Sequence, residues 1–364
     1  MRYERERIHR MRGYTAGEQP LDATTIKLNT NENPYPPSPR VAAALARFDV
    51  ASLRRYPQPT ADRLRDRIAA RLRIARDQVL VTNGGDELLR LAFTTFLDPD
   101  DVFGTTDVTY SLYPVLAEIQ GCPVATVALG DDWRLPSDFA AQLNARGVRL
   151  CCIVNPHAPS GALTAADSLA DIAAELRGVL LIDEAYADFV DPELHYDGVE
   201  LARRFDNVLL LRTFSKGYSL AGLRVGFAIG HADLIAPMLG KTRDSYNVDA
   251  LSQTLACAAF EDLPYAAETW AKVRAERARL ADALRQRGFV VPPSQSNFVL
   301  ATVPKTAHID AGELAGRLKH DGVLVRYFSQ QRLDDKLRIT IGDREQNTRL
   351  LAAIDRALEG TGGR

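Results

Sequence analysis

Apolar positions along this chain recur in two different periods. From Thr60 onward Leu64, Ile68 and Leu72 fall four apart, the spacing of one buried helix face. Short apolar runs follow at Val79–Thr82, Val124–Leu129, Leu150–Val154, Val179–Ile182, Val208–Leu211 and Val225–Ile229. Several are apolar at consecutive positions, the pattern of a strand covered on both faces. Helix-length stretches, among them Glu87–Leu97, Leu112–Ile119 and Ala165–Leu176, lie between them. This alternation predicts an α/β fold whose large domain is a mostly parallel sheet covered by helices. After about Leu251 the texture changes. A long helical pattern, Thr269–Arg287, precedes shorter candidate strands at Asn297–Thr302, Val323–Tyr327 and Lys336–Ile341, predicting a smaller α+β domain. Residues 13–40 are crowded with Pro, Asn and Gly and read as an irregular arm. The expected division is an arm at 1–40 packing on the small domain, a large domain at 41–250 and the small domain at 251–364.

Composition narrows the function classes. With 364 residues, 46% hydrophobic and 25% charged, the chain can fill a sizeable core, which excludes disordered and fibrous classes. Lys plus Arg (45) nearly balances Asp plus Glu (47), so no electrostatic footprint for nucleic acid or a membrane surface is expected. No apolar run approaches the roughly 18 residues of a membrane helix. Four cysteines are too few for a disulfide scaffold, and Cys151 and Cys152 read as reduced residues of a buried strand. No Cys or His cluster has metal-ligand spacing, so no metal is expected. The first twelve residues are basic without an apolar stretch, unlike a secretory signal, and the expected compartment is the cytoplasm. The run Arg63, Arg65, Arg67, Arg71, Arg73 reads as the solvated face of a helix.

Open parallel sheets bind ligands beyond the carboxyl ends of their strands, so the polar residues there carry the candidate chemistry. Gly84-Gly85-Asp86 follows the first run; it suits an anion at a helix N-terminus, and equally an ordinary strand-to-helix turn. Asn155 follows the third run. Asp183, with Tyr186 three residues later, follows the fourth; a buried Asp needs a partner, which a cationic ring nitrogen or a helix cap would each supply. Ser215-Lys216 follows the fifth, where desolvation would lower the lysine pKa and leave free amine able to attack an aldehyde. Arg224, eight residues on, offers a fork for a phosphate or a surface carboxylate. An anion cradle, an acid and a nucleophilic lysine at one sheet edge are the parts of a pyridoxal-phosphate site.

Four stretches carry a resemblance: Leu28-Asn29-Thr30-Asn31-Glu32-Asn33-Pro34, Arg55-Tyr56-Pro57, Asp183-Glu184-Ala185-Tyr186, and Ser215-Lys216 with Leu220-Ala221-Gly222-Leu223-Arg224-Val225-Gly226. In these the chain resembles the fold-type I pyridoxal-phosphate-dependent aminotransferases, and within them the histidinol-phosphate aminotransferase family, from about residue 10 to the C-terminal end. The resemblance implies pyridoxal 5'-phosphate as cofactor and small amine and keto-acid substrates. It implies catalytic roles for Lys216, which would bond the cofactor and move the Cα proton, for Asp183 on the ring nitrogen, and for Tyr186. Asn155 and Tyr186 would hold the ring oxygen, Tyr110 would stack on the ring, and Gly85, Asp86, Thr213, Ser215 and Arg224 would hold the phosphate. Tyr56 would reach that phosphate from a neighbouring subunit, making a homodimer with shared active sites. Arg326, Arg338, Tyr14, Tyr246 and Asn247 would bind substrate. A donor bearing a phosphate suits two arginines, whereas a lone carboxylate needs one.

The chain also departs from that family's pattern. His157 and Ala158 stand where two asparagines are usual, Asp107-Val108-Thr109 stands where a Pro is frequent, and Asp244 stands among residues usually small. The expected reaction is L-histidinol phosphate with 2-oxoglutarate giving imidazole acetol phosphate and L-glutamate. The rivals are an aromatic amino-acid aminotransferase, a threonine-phosphate decarboxylase and a non-enzymatic cofactor-binding regulator.

Overall fold

The computed structural model describes residues 3–20, 22 and 24–359. Its strands are β1 (Ile26–Leu28), β2 (Val79–Thr82), β3 (Val102–Thr106), β4 (Val124–Val127), β5 (Val148–Val154), β6 (Val179–Asp183), β7 (Val208–Thr213), β8 (Gly226–Gly230), β9 (Phe298–Thr302), β10 (Val323–Tyr327) and β11 (Lys336–Thr340). A seven-stranded sheet has the order β2-β8-β7-β6-β5-β3-β4. Its pairings are parallel except those of β8, which runs antiparallel to both β7 and β2. Helices cover both faces, and the expected α/β fold with a mostly parallel sheet is the one the chain adopts.

The central strands are apolar at every position because both faces are covered: Leu150, Cys151, Cys152, Leu180, Leu181, Ile182 and Val208 to Leu210 are fully buried. All four cysteines are free and buried. At the sheet edge β4 alternates instead, with Val124 exposed and Ala125 and Val127 buried. The strand β3 has no counterpart in the apolar pattern, because Gly104, Thr105 and Thr106 interrupt it. The fold accommodates these residues locally. Thr105 Oγ1 donates to the Cys152 carbonyl at 2.9 Å and Thr106 Oγ1 to Val108 O at 2.7 Å. Gly104 is required by close packing, since a Cβ there would lie 2.8 Å from Val148 Cγ1.

A second sheet has the order β1-β10-β11-β9. Here the arm enters the fold: β1 pairs in parallel with β10, Ile26 opposite Val323 and Leu28 opposite Val325. The segment after β1 then crosses toward the carboxyl edge of the large sheet. The long helix Leu263–Gln286 bridges the two sheets, with Arg277 donating to Phe189 O at 2.8 Å and Ser296 O at 2.9 Å.

The arginine run does not form a solvated face throughout. In the helix Asp62–Leu72 Arg65 is buried, donating to Val79 O at 2.8 Å and Arg76 O at 2.9 Å. Arg71 lies over the Phe260 ring at 3.8 Å. Both project toward neighbouring backbone and ring, while Arg63 and Arg67 face Glu261. Charge alone hides this difference, since a long arginine stem packs on apolar surface as readily as it reaches water.

Candidate active site

The sheet register assembles the site. Thr82 and Thr213 both pair with Gly226, the first residue of the antiparallel β8. The chain leaving β2, the chain leaving β7 and the chain entering β8 therefore meet at one edge. Gly84 adopts φ +77°, and a Cβ there would lie 2.6 Å from the Arg224 guanidinium. The helix Gly84–Phe96 starts at this point, so its unpaired N–H groups face the same space. Arg224 Nη1 donates to Ser215 Oγ at 3.2 Å, and Thr213 Oγ1 lies 3.0 Å from the same oxygen. Backbone N–H groups, two hydroxyls and a guanidinium thus converge, a donor set suited to a phosphate.

A cleft of about 620 Å³ opens over this edge. Gly85, Asp86, Tyr110, Asp183, Tyr186 and Lys216 line its floor, with Thr213, Ser215 and Arg224 at one end. Tyr14, Arg326 and Arg338 line the other end. Lys216 is half-buried, and its Nζ donates to the Thr30 carbonyl at 2.8 Å. Burial, helped by the positive Arg338, lowers its pKa to about 8. About one molecule in ten is therefore free amine at pH 7, against roughly one in several thousand for an ordinary lysine. Asp183 is 6% exposed, and burial raises its pKa to about 6, against the opposing hydrogen bonds from Tyr113 and the Ala185 N–H. It stays largely ionised at pH 7, and a cation placed against it would hold it so.

The two arginines differ. Arg338 on β11 gives Nη2 to Asn29 O at 2.9 Å, but its buried Nε has no hydrogen-bond partner. Arg326 on β10 pairs opposite Arg338 and lies 5.3 Å from the Phe328 ring. Among the described residues neither makes an ion pair. Two cations facing one cleft, neither paired with a carboxylate among the described residues and one with an orphaned donor, make an anion site.

Four of the sequence-predicted residues stand outside the cleft. Asn155 is buried at the end of β5, its amide exchanging bonds with Thr164 N at 2.8 Å and Thr164 O at 3.1 Å. Asn247 donates to Val81 O at 3.1 Å and Glu87 at 2.9 Å, behind the phosphate end. Tyr56 is 80% exposed and stacks on the half-exposed Tyr246 with ring centroids 4.4 Å apart. The fold also brings in residues that the sequence reading gave no role. Fully buried Tyr113 donates to Asp183 Oδ2 at 3.0 Å. Asn31 donates to Tyr186 Oη at 3.0 Å. A polar tyrosine on the apolar face of a predicted helix was the available signal for Tyr113.

The family model for aminotransferases of class I and II matches residues 23–354. The chain belongs to the class I and II aminotransferases. A histidinol-phosphate aminotransferase of Burkholderia lata is 43% identical over 360 residues, covering 97% of this chain and 98% of the relative. Another, from Nostoc sp., is 42% identical over 98% of both chains. The crystal structure of the Sinorhizobium meliloti histidinol-phosphate aminotransferase in complex with pyridoxal-5'-phosphate superposes with a TM-score of 0.85, at 24% identity, covering 92% of this chain and 91% of that one; it speaks for the fold.

This aminotransferase differs in the loop after β5. His157 is buried, its ring nitrogens 2.7 Å from Ser160 Oγ and 2.9 Å from Val108 O, and its ring stacks on Trp133. Burial drops its pKa to about 4, so it is a neutral structural group. Asp107 pairs with Arg332 at 2.8 Å, and Arg332 lies 4.7 Å from the Trp133 ring. Both departures therefore fasten the loop carrying Phe328 to Leu333, which borders the substrate end of the cleft, onto the large sheet.

Proposed function

We propose that this aminotransferase transfers the amino group of L-histidinol phosphate to 2-oxoglutarate, giving imidazole acetol phosphate and L-glutamate, with pyridoxal phosphate as cofactor. The observation that carries the reading is the cleft itself: a half-buried lysine of lowered pKa and a buried carboxylate, with two unpaired arginines at the far end. The residues fit the cofactor. The Gly84 turn, Ser215, Thr213 and Arg224 form a phosphate cradle that a side chain at Gly84 would fill. The names and near-complete coverage of relatives at 42–43% identity support the donor.

When bound, pyridoxal phosphate supplies an aldehyde that condenses with amines and a ring that withdraws the electron pair left when the Cα proton departs. Asp183, anchored by Tyr113 and the Ala185 N–H, holds a positive ring nitrogen. Tyr110, held by edge-on contacts with Tyr14 and Tyr113, would pack against the ring. Tyr186, which lines the cleft, would hold the ring oxygen, whereas Asn155 spends its amide on Thr164 and braces the chain after β5. Lys216 Nζ takes the Cα proton and returns it on the other side of the transfer. Arg326 and Arg338 orient the donor by its phosphate, so Cα rests beside Lys216 rather than free in the cleft. Tyr14 and Phe328 give apolar area for a flat side chain.

We also infer a homodimer in the cytoplasm. Tyr56 and Tyr246 stack in the open, and Leu45, Val50 and Leu53 are exposed in the segment before them. A second copy of this chain covers that surface and receives Tyr56 at its own phosphate cradle, with Tyr246 and Asn247 bordering its substrate end. Among the described residues no helix is long and apolar enough to cross a membrane.

The test is a single half-reaction. Protein loaded with pyridoxal phosphate is mixed with histidinol phosphate, and separately with phenylalanine, and the cofactor's visible band is followed. Fast loss of the band with histidinol phosphate and slow loss with phenylalanine supports the reading. Comparable rates would move the enzyme to aromatic amino acids, and release of CO2 without need for a keto acid would make it a decarboxylase.

A further inference from the structure

The arm motif Asn29 to Asn33 touches three residues that the mechanism uses, Arg338, Lys216 and Tyr186. Asn29 O accepts from Arg338, Thr30 O accepts from Lys216, and Asn33 donates to Gly217 O at 3.4 Å. Asn31 is the most constrained. It is 1% exposed with φ +59°, a left-handed conformation that Asn tolerates better than most residues. Its carbonyl accepts from Asn297 Nδ2 at 2.9 Å, and its side chain lies between Thr340 on β11 and Tyr186 beyond β6.

The hydrogen bonds around Asn31 have a direction that can be counted. Its backbone N–H donates to Thr340 Oγ1 at 2.9 Å. Thr340 has one hydroxyl proton, which it gives to Asn31 Oδ1 at 3.1 Å. In this arrangement Oδ1 faces Thr340. The other end, Nδ2, can only donate, and it donates to Tyr186 Oη at 3.0 Å. Tyr186 therefore accepts from Asn31 and keeps its own proton for another partner. Among the described residues it has no acceptor for that proton. Its ring is fixed edge-on against Phe298 at 5.0 Å, and it lines the cleft that holds Lys216.

We propose that Asn31 is a positioning residue that sets the direction of the Tyr186 hydroxyl, so that Tyr186 is always a donor toward the ring oxygen of the bound cofactor. This rests on reading the cleft as a pyridoxal-phosphate site. Burial holds the Tyr186 phenol above its ordinary pKa, so the proton to be donated is present at neutral pH. A hydrogen bond donated to the ring oxygen stabilises its anionic form. That form is most exposed when the nitrogen linked to Lys216 has lost its proton, so losing the donor moves the pH midpoint of the visible band upward.

The experiment titrates the visible absorption of the loaded protein. Asn31→Asp keeps the shape and the backbone conformation but turns the donor into an acceptor, so Tyr186 gives its proton to residue 31. The midpoint is expected to rise by about one unit. Thr340→Val, which frees the amide to turn over, raises it in the same direction, and Thr340→Ser, which keeps the hydroxyl, restores it. The new carboxylate could raise the midpoint by its charge alone, so the Asp variant is repeated in a Tyr186→Phe background. There the proposal expects almost no further rise. A full rise in that background, or a midpoint unmoved by both Asn31→Asp and Thr340→Val, overturns it. If the unsubstituted protein takes up no pyridoxal phosphate, the reading of the cleft falls first and this one with it. Uptake with an unmoved midpoint sinks this inference alone.

Discussion

Asp183 makes the protein less stable in order to hold a cation. Its pKa rises from 3.8 to about 6 on folding because burial penalises the carboxylate. At about 1.4 kcal/mol per unit, that is a cost of about 3 kcal/mol to the cofactor-free protein once pH exceeds 6. The sign follows from proton counting. Between roughly pH 4 and 6 the folded chain binds more protons here than the unfolded one, so stability falls as pH rises and then levels off. Asp183→Asn removes the charge and keeps the shape. Its oxygen can still accept from the Ala185 N–H, and its amide can donate to Tyr113 Oη in place of the present bond. Allowing about 1 kcal/mol for the weaker neutral bonds leaves about 2 kcal/mol of expected stabilisation above pH 6. The assay is thermal unfolding of both cofactor-free proteins from pH 4 to 8. The two melting curves should converge near pH 4 and separate above pH 6, with the Asn variant melting higher by several degrees (~). The same variant, loaded, should have lost most of its turnover. An Asn variant that melts lower than the parent at pH 8 would refute the reasoning, since the carboxylate would then be satisfied without a cofactor.

Other perturbations separate the remaining roles. Cofactor capture by the empty protein should accelerate with pH up to about 8, where Lys216 becomes free amine, and then flatten, as followed by stopped-flow absorbance. Arg338→Met should lower kcat/KM for either donor by roughly 10- to 100-fold, whereas Arg326→Met should do so for histidinol phosphate and spare phenylalanine. Mixing inactive Lys216→Ala with weakened Tyr56→Ala should regain activity, because a mixed dimer has one site with neither lesion; no recovery after subunit exchange would remove Tyr56 from the neighbouring site. His157→Leu should destabilise by about 1–3 kcal/mol in thermal melts through the unpaired Val108 carbonyl, with the effect smaller at acid pH, where the parent's buried neutral imidazole is itself a liability.

Consecutive apolar runs were enough to read β2, β5, β6 and β7, because a strand covered on both faces has little room for anything else. The polar residues that end them were legible for the same reason: Asp183 and Lys216 stand out where the apolar run stops. β3 was not legible, since Gly104, Thr105 and Thr106 look like a turn until the Cys152 carbonyl supplies a partner. Nor was β1, a three-residue strand that exists only because β10 offers it an edge.

By itself, then, the order of residues determined the α/β layering and the chemistry at the strand ends, because local periodicity and burial of both sheet faces leave few alternatives. Tertiary structure decided what lies next to what. It reversed β8 so that Arg224 enters the same edge that Ser215 and Gly84 leave. It also placed Tyr113 behind Asp183 and the arm's Asn31 beside Tyr186, across 70 and 155 positions of chain. Such contacts follow from register and crossing, which no window of sequence contains, and they set the protonation and the proton direction on which the reaction depends.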